Sequence, residues 1–207
     1  MKQKTLNTNQ LLKCPLKQIH GPSAWYGDSV KKSNDWIISL SIAEIDEMEN
    51  AIEKSKSIEI KNITQSDFQL PSLGPKLRKL LIELLSGRGF VLIRGLPVKN
   101  YTIEDTARAY WGIGRHLGTP RSQNANGDLL GHVIDLSRSF HDPNARIYQT
   151  SARQNYHCDS TDIVGLLCLE KAMTGGASSI VSSVTLFNEI LKKRPELIQL
   201  EISMHSL

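Results

Sequence analysis

The first clear periodicity begins after residue 40. Ile42, Ile45, Met48 and Ile52 recur at helical spacing and put an apolar stripe along one face. Ser41 precedes the run and Glu44 stands three residues on, a capping-box pattern that marks a helix start. A second helix is predicted after Pro71 and Ser72. Leu73, Leu77, Leu80, Leu81, Leu84 and Leu85 form its apolar face, and Gly87 is the left-handed residue expected to end it. Residues 90–94 (FVLIR), between Gly89 and Gly95, read as a short buried strand. A third helix is predicted from Thr102, with Asp105 in its first turn, to Leu117, stopped by Gly118 and Pro120. Its Ile103, Ala107, Tyr110, Trp111 and Ile113 cover more than one face, which predicts deep burial.

From residue 121 the pattern changes. Short β-like runs at 131–136, 146–150, 163–169 and 178–184 are separated by turn-formers, and helical spacing returns at 185–193 until Pro195 breaks it. Helices followed by several short strands predict an α+β chain with an antiparallel β sandwich or barrel as its main body. The first 35 residues are polar and punctuated by Pro15, Gly21, Pro22 and Gly27, the pattern of an irregular arm. Residues 36–207 remain as one folded domain, a size that buries a real core.

Composition narrows the function classes. With 40% hydrophobic and 22% charged residues the chain is too apolar for disorder. The excess of 25 basic over 21 acidic residues is dispersed, without the clustered basic face that nucleic acid requires. No apolar run reaches the roughly 18 residues of a membrane span. Cys14, Cys158 and Cys168 form an odd set without a C-x-x-C, which argues against a disulfide framework or a zinc ribbon. A reducing, cytoplasmic location is the expectation. The lysine-rich start has no apolar segment of a secretory signal, and the first arginine of the chain is Arg78, against a mitochondrial presequence.

The chemistry concentrates at Tyr156-His157-Cys158-Asp159. In extended chain alternate side chains share a face, so His157 and Asp159 point the same way. An imidazole and a carboxylate so placed are two ligands of a 2-His-1-carboxylate triad, which holds Fe(II) and leaves positions open for cosubstrate and oxygen. The tripeptide alone is weak evidence. Six histidines and ten aspartates in 207 residues give about 0.3 chance occurrences of His-x-Asp. A polar edge-strand pair, with the histidine hydrogen-bonded and the aspartate solvated, is the more ordinary reading of the tripeptide by itself.

The surroundings carry more weight. After the motif come an apolar run (IVGLLCLEKA), a turn at Gly175-Gly176, a second run (ASSIVSSV) and a helix (TLFNEILKKRPEL). From Gly21-Pro22-Ser23-Ala24-Trp25, through GRGFVLIRGLPV and GIGRHLGTPRSQNANGDLLGHVIDL, to NEILKKRPEL, the chain resembles the TauD/TfdA family. These are the taurine-dioxygenase-like, Fe(II)- and 2-oxoglutarate-dependent oxygenases. The resemblance implies a double-stranded β-helix, a jelly roll of the clavaminate synthase-like type, flanked by the N-terminal helices. It implies that His157 and Asp159 are the first two iron ligands. It also implies that the hydroxyl past the Gly-Gly turn, here Ser178, binds a carboxylate of the cosubstrate 2-oxoglutarate. The reaction implied is hydroxylation of a small organic substrate with O₂, releasing succinate and CO₂.

The family's third ligand, a distal histidine, and the arginine that pairs with the other 2-oxoglutarate carboxylate lie on late strands, past residue 207. The ending EISMHSL does not continue as the family does. The expectation is therefore a jelly roll incomplete at its C-terminus, an N-terminal piece of such an enzyme, with a non-catalytic remnant acting as a binding protein as the alternative. His205, the one histidine after Asp159, follows a helix and reads as a polar tail residue. Cys158 reads as a small packing residue. His116 reads as a helix-end histidine, His132 as lining or supporting the site, and His20 and His141 as surface residues. Glu44, Asp46, Glu47 and Glu49 read as the solvated face of the first helix.

Overall fold

A computed structural model describes residues 16–124, 126–134, 150 and 153–198. The helices are α1 (Gly27–Lys31), α2 (Ile42–Lys54), α3 (Leu73–Ser86), α4 (Ile103–Leu117) and α5 (Ser183–Lys193), and strands β1 (Ile37–Ser39) and β2 (Leu92–Arg94) form a two-stranded sheet. The chain divides into two compact units. One comprises Met1–Ile38, Ile82–Arg94 and Ala172–Leu207; the other comprises Ser39–Leu81 and Gly95–Lys171. No described helix is long and apolar enough to cross a membrane.

In the first unit polar clasps prevail over apolar packing. Ser182 caps α5 by accepting from the Thr185 backbone N–H, and its hydroxyl donates to Ser23 O at 2.5 Å. Thr185 Oγ1 donates to Trp25 O at 2.7 Å, and Asn188 bonds both the N–H and the C=O of Ile19. The Trp25 indole meets Phe90 edge-on at 5.1 Å and donates its N–H to Arg88 O. Helix α5 thereby ties down a stretch of chain that has little regular structure of its own.

The second unit holds the apolar core. Met48, Ile52, Ile63, Phe68, Leu73, Leu77 and Trp111 are buried in it. One face of α4 serves as a row of donors for the connecting chain 55–70. Arg108 Nη1 donates to Ser55 O at 2.6 Å and to Ile58 O at 2.7 Å. Trp111 Nε1 donates to Ile63 O at 3.0 Å. His116 Nε2, facing a carbonyl that only accepts, donates to Phe68 O at 2.8 Å. These residues stand three and five places apart along the helix and spread over one broad face of it. The chain beside them therefore satisfies its buried carbonyls without a sheet. Gly112 stands in the same row, and the Phe68 ring rests against its backbone: a Cβ built there would lie 2.3 Å from the ring.

The starts of α2, α3 and α4 match the sequence reading, while α5 begins at Ser183 and takes in the end of the run 178–184; several faces do not match. Ser41 and Glu44 form the full capping box, and Thr102 accepts from the Asp105 N–H. Ile42 and Ile103, however, are exposed. Each is the first helical residue, and its side chain projects back over the cap, beyond the core. Glu44, read as solvated, is buried instead. Its carboxylate accepts from Ser41 N at 2.8 Å and from Lys76 Nζ at 3.0 Å. Glu47 accepts from Ser72 N and Leu73 N at 2.6 and 2.9 Å, so a carboxylate from α2 caps the start of α3. The left-handed residue after α3 is Gly89 (φ +90°), two places later than Gly87. Residues 92–94 are half exposed, because β2 has one neighbour and no layer of its own.

The β-like runs also differ. Residues 131–134, 163–169 and 178–182 are irregular, and 135–136 and 146–149 lie outside the described residues. No backbone hydrogen bond joins 163–169 or 177–181 to another described segment. A strand is defined by its ladder, which apolar alternation cannot supply. Val164, Leu166, Ile180 and Val181 are accordingly exposed.

The buried Glu44 gives a test in pH. The N–H of Ser41, and secondarily Lys76, holds its carboxyl below its ordinary 4.5. A depressed folded pKa contributes stability above the unfolded value and loses it as pH falls through the folded value. Glu44→Gln is expected to lower stability at neutral pH by about 1 kcal/mol. In thermal melts against pH, the gap to the parent chain should close as pH falls below 4.5. A gap constant with pH would disprove the charge contribution.

Candidate metal centre

His157 and Asp159 lie in the second unit, on irregular chain between residues 153 and 162. His157 Nε2 and Asp159 Oδ1 are 3.7 Å apart, and the two side chains are about half exposed, 48% and 53%. The i, i+2 spacing brings the pair to one side even without a strand. The imidazole is oriented by its own neighbours. His157 Nδ1 lies 2.8 Å from Asn155 O. A carbonyl only accepts, so Nδ1 carries the hydrogen, and in the neutral ring Nε2 keeps its lone pair. That lone pair faces the carboxylate, with the Gln154 side-chain nitrogen as a distant donor at 3.4 Å.

The two donor atoms, 3.7 Å apart with no hydrogen bond between them, stand wider than the roughly 3.0 Å separating adjacent ligands each about 2.1 Å from one ion, and a small rotation of these half-exposed side chains brings both onto it. A backbone carbonyl on the opposite ring nitrogen is the orienting contact that metal-bound histidines characteristically have. The residues therefore fit a metal as a two-donor arm. Among the described residues no third histidine, cysteine or carboxylate joins them. Asn155 and Gln154 were not singled out in the sequence. Their proximity to His157 is the one signal that could have found them.

Ser178 belongs to the first unit and is exposed. It follows Gly175 and Gly176, whose φ angles of +71° and +68° lie in the left-handed region that favours glycine. Cys158 and Cys168 are free and exposed, so Cys158 is not the packing residue expected. His116 is buried at the end of α4, as a helix-end packing histidine. His132 and His20 are exposed. Cys14, His141 and His205 lie outside the described residues.

An oriented imidazole beside a carboxylate, presented on exposed chain, is an arrangement able to contribute two donors to a divalent metal. Residues 55–205 match the taurine catabolism dioxygenase TauD, TfdA family, and the chain belongs to that family. It is 29% identical over 191 residues to the taurine hydroxylase-like protein SAT17 of Stachybotrys chartarum, covering 88% of this chain and 50% of that protein. It is 27% identical over 187 residues to the FR-33289 synthase of Streptomyces rubellomurinus, covering 89% of this chain and 55% of that one. The chain thus spans about half the length of both relatives.

Proposed function

We propose that the chain forms part of an Fe(II)- and 2-oxoglutarate-dependent dioxygenase that hydroxylates a small organic molecule. His157 and Asp159 are its first two iron ligands, and Ser178 donates its hydroxyl to a carboxylate of 2-oxoglutarate. The observation that carries the reading is the pairing of His157 Nε2 with Asp159 Oδ1 at 3.7 Å, in a chain of this family. The family's double-stranded β-helix belongs to the same proposal: runs 163–169 and 178–182, irregular here, are where its strands would form.

When bound, the iron would couple O₂ and 2-oxoglutarate to oxidation of a substrate C–H bond, giving hydroxylated substrate, succinate and CO₂. The chain's own residues do simpler work. Asn155 O holds the Nδ1 hydrogen of His157, fixing the tautomer and aiming Nε2 outward. The Gln154 contact at 3.4 Å is long enough to give way to a stronger partner of Nε2. Asp159 supplies the anionic oxygen. Its single negative charge leaves a divalent ion net cationic, and so attractive to a dicarboxylate.

Anaerobic titration of the 207-residue chain with Fe(II), or with Co(II) as a coloured substitute, tests the ligands directly. His157→Ala and Asp159→Ala should each weaken binding at least tenfold, whereas Tyr156→Ala, on exposed chain between them and Asn155, should change it less than twofold. Metal binding indifferent to both ligand substitutions would overturn the assignment. Succinate formation from 2-oxoglutarate, read in parallel, tests the reaction.

A further inference from the structure

We propose that a groove in the second unit, remote in sequence from His157 and Asp159, binds a phosphate-type oxyanion carried on a small molecule. The groove lies between residues 64–71, the first half of α3 and the end of α4, with a volume of about 630 Å³. It is shallow and open to solvent, so it suits a charged group held at the surface more than a fully enclosed molecule. Arg78 and Arg115 both line it, and no carboxylate does. Arg78 makes no hydrogen bond or ion pair within the described residues. Arg115 donates once, to Gly118 O at 3.2 Å, and has no acidic partner. Two guanidinium groups facing one groove without counter-charge raise its potential. Their forked N–H donors match the oxygens of a phosphate in pairs. Gln65, Gln69 and Ser66 add neutral polar groups along the same wall.

The floor is rigid. His116 is buried, held by Phe68 O on Nε2 and by the Gln65 amide on Nδ1 at 3.2 Å. Gly74 lets α3 come close to that ring: a Cβ there would stand 3.3 Å from His116 Nδ1. The helices bearing Arg78 and Arg115 are therefore fixed against one another through a packed contact. An adjoining depression, lined by Asp46, Glu47 and Asp67 with Lys54, has the opposite character. The preference for an anion is thus a property of this groove, not of the chain's +4 net charge. The proposal is independent of the iron reading and stands or falls separately.

Calorimetric titration of the 207-residue chain with inorganic phosphate, and with glycerol phosphate as an organic monoester, is the test. Saturable binding is expected, weakened at least tenfold by Arg78→Ala and by Arg115→Ala, and changed less than twofold by Lys79→Ala, an exposed cation of α3 outside the groove. Circular dichroism of each variant confirms that it is folded. Absence of saturable binding, full binding by either arginine variant, or equal weakening by Lys79→Ala would each overturn the proposal.

Discussion

Gly112→Ala is expected to cost about 3 kcal/mol of stability, while Gly114→Ala, half a turn further along the same helix, should be neutral or stabilising by up to about 1 kcal/mol. The difference comes from what each new methyl group meets. At position 112 it would stand 2.3–2.5 Å from three ring atoms of Phe68, and at position 114 it meets nothing within 4 Å. Phe68 is fully buried and cannot swing outward. Its carbonyl is also held by His116, so the backbone cannot retreat without breaking that bond. Thermal melts should show a fall of roughly 6–12 °C for Gly112→Ala. In a double-mutant cycle, Phe68→Leu should recover part of the loss, because the clash is with the ring itself. Equal melting temperatures for the two glycine variants would refute the close packing of Phe68 on α4.

Arg108→Met is the second large effect. The guanidinium is almost completely buried, and Nη1 satisfies two carbonyls, Ser55 O and Ile58 O. Nη2 pairs with Glu104 at 2.8 Å, and Glu104 is largely exposed. Methionine keeps much of the volume but leaves both carbonyls without their donor, a loss of about 2–4 kcal/mol. Arg108→Lys should rescue little, since a single ammonium cannot reproduce the planar fork. Glu104→Gln should cost no more than about 0.5 kcal/mol, because that carboxylate is solvated. If urea unfolding found Glu104→Gln as damaging as Arg108→Met, the ion pair and not the carbonyl clasp would be the stabilising element.

The caps were legible because they are local. Ser41 with Glu44 and Thr102 with Asp105 act over three residues; Ser182, which caps α5 through Thr185, instead reads in the sequence as part of the β-like run 178–184. The nearness of the His157 and Asp159 side chains was legible for a similar reason, a spacing of two. What escaped was long-range. Nothing near Gly112 announces Phe68, forty-four residues earlier. Glu44, read as solvated, is buried with the help of Lys76, thirty-two residues later, and nothing near Arg108 announces the Ser55 and Ile58 carbonyls it holds. The β-like runs failed in the opposite sense. Alternation at 163–169 reports an apolar face, but a strand needs a neighbour at matching register.

Along residues 55–70 the anchoring acceptors are main-chain oxygens, present whatever amino acid occupies each position. Only inward residues such as Ile63, Phe68 and Leu70 answer to the interior. Ser66 and Gln69 are displayed outward on a support that does not read them, while Gln65, also exposed, reaches back to His116 Nδ1. Substitution there can retune what the neighbouring surface recognises, while shortening by one residue would throw every later oxygen out of step with α4.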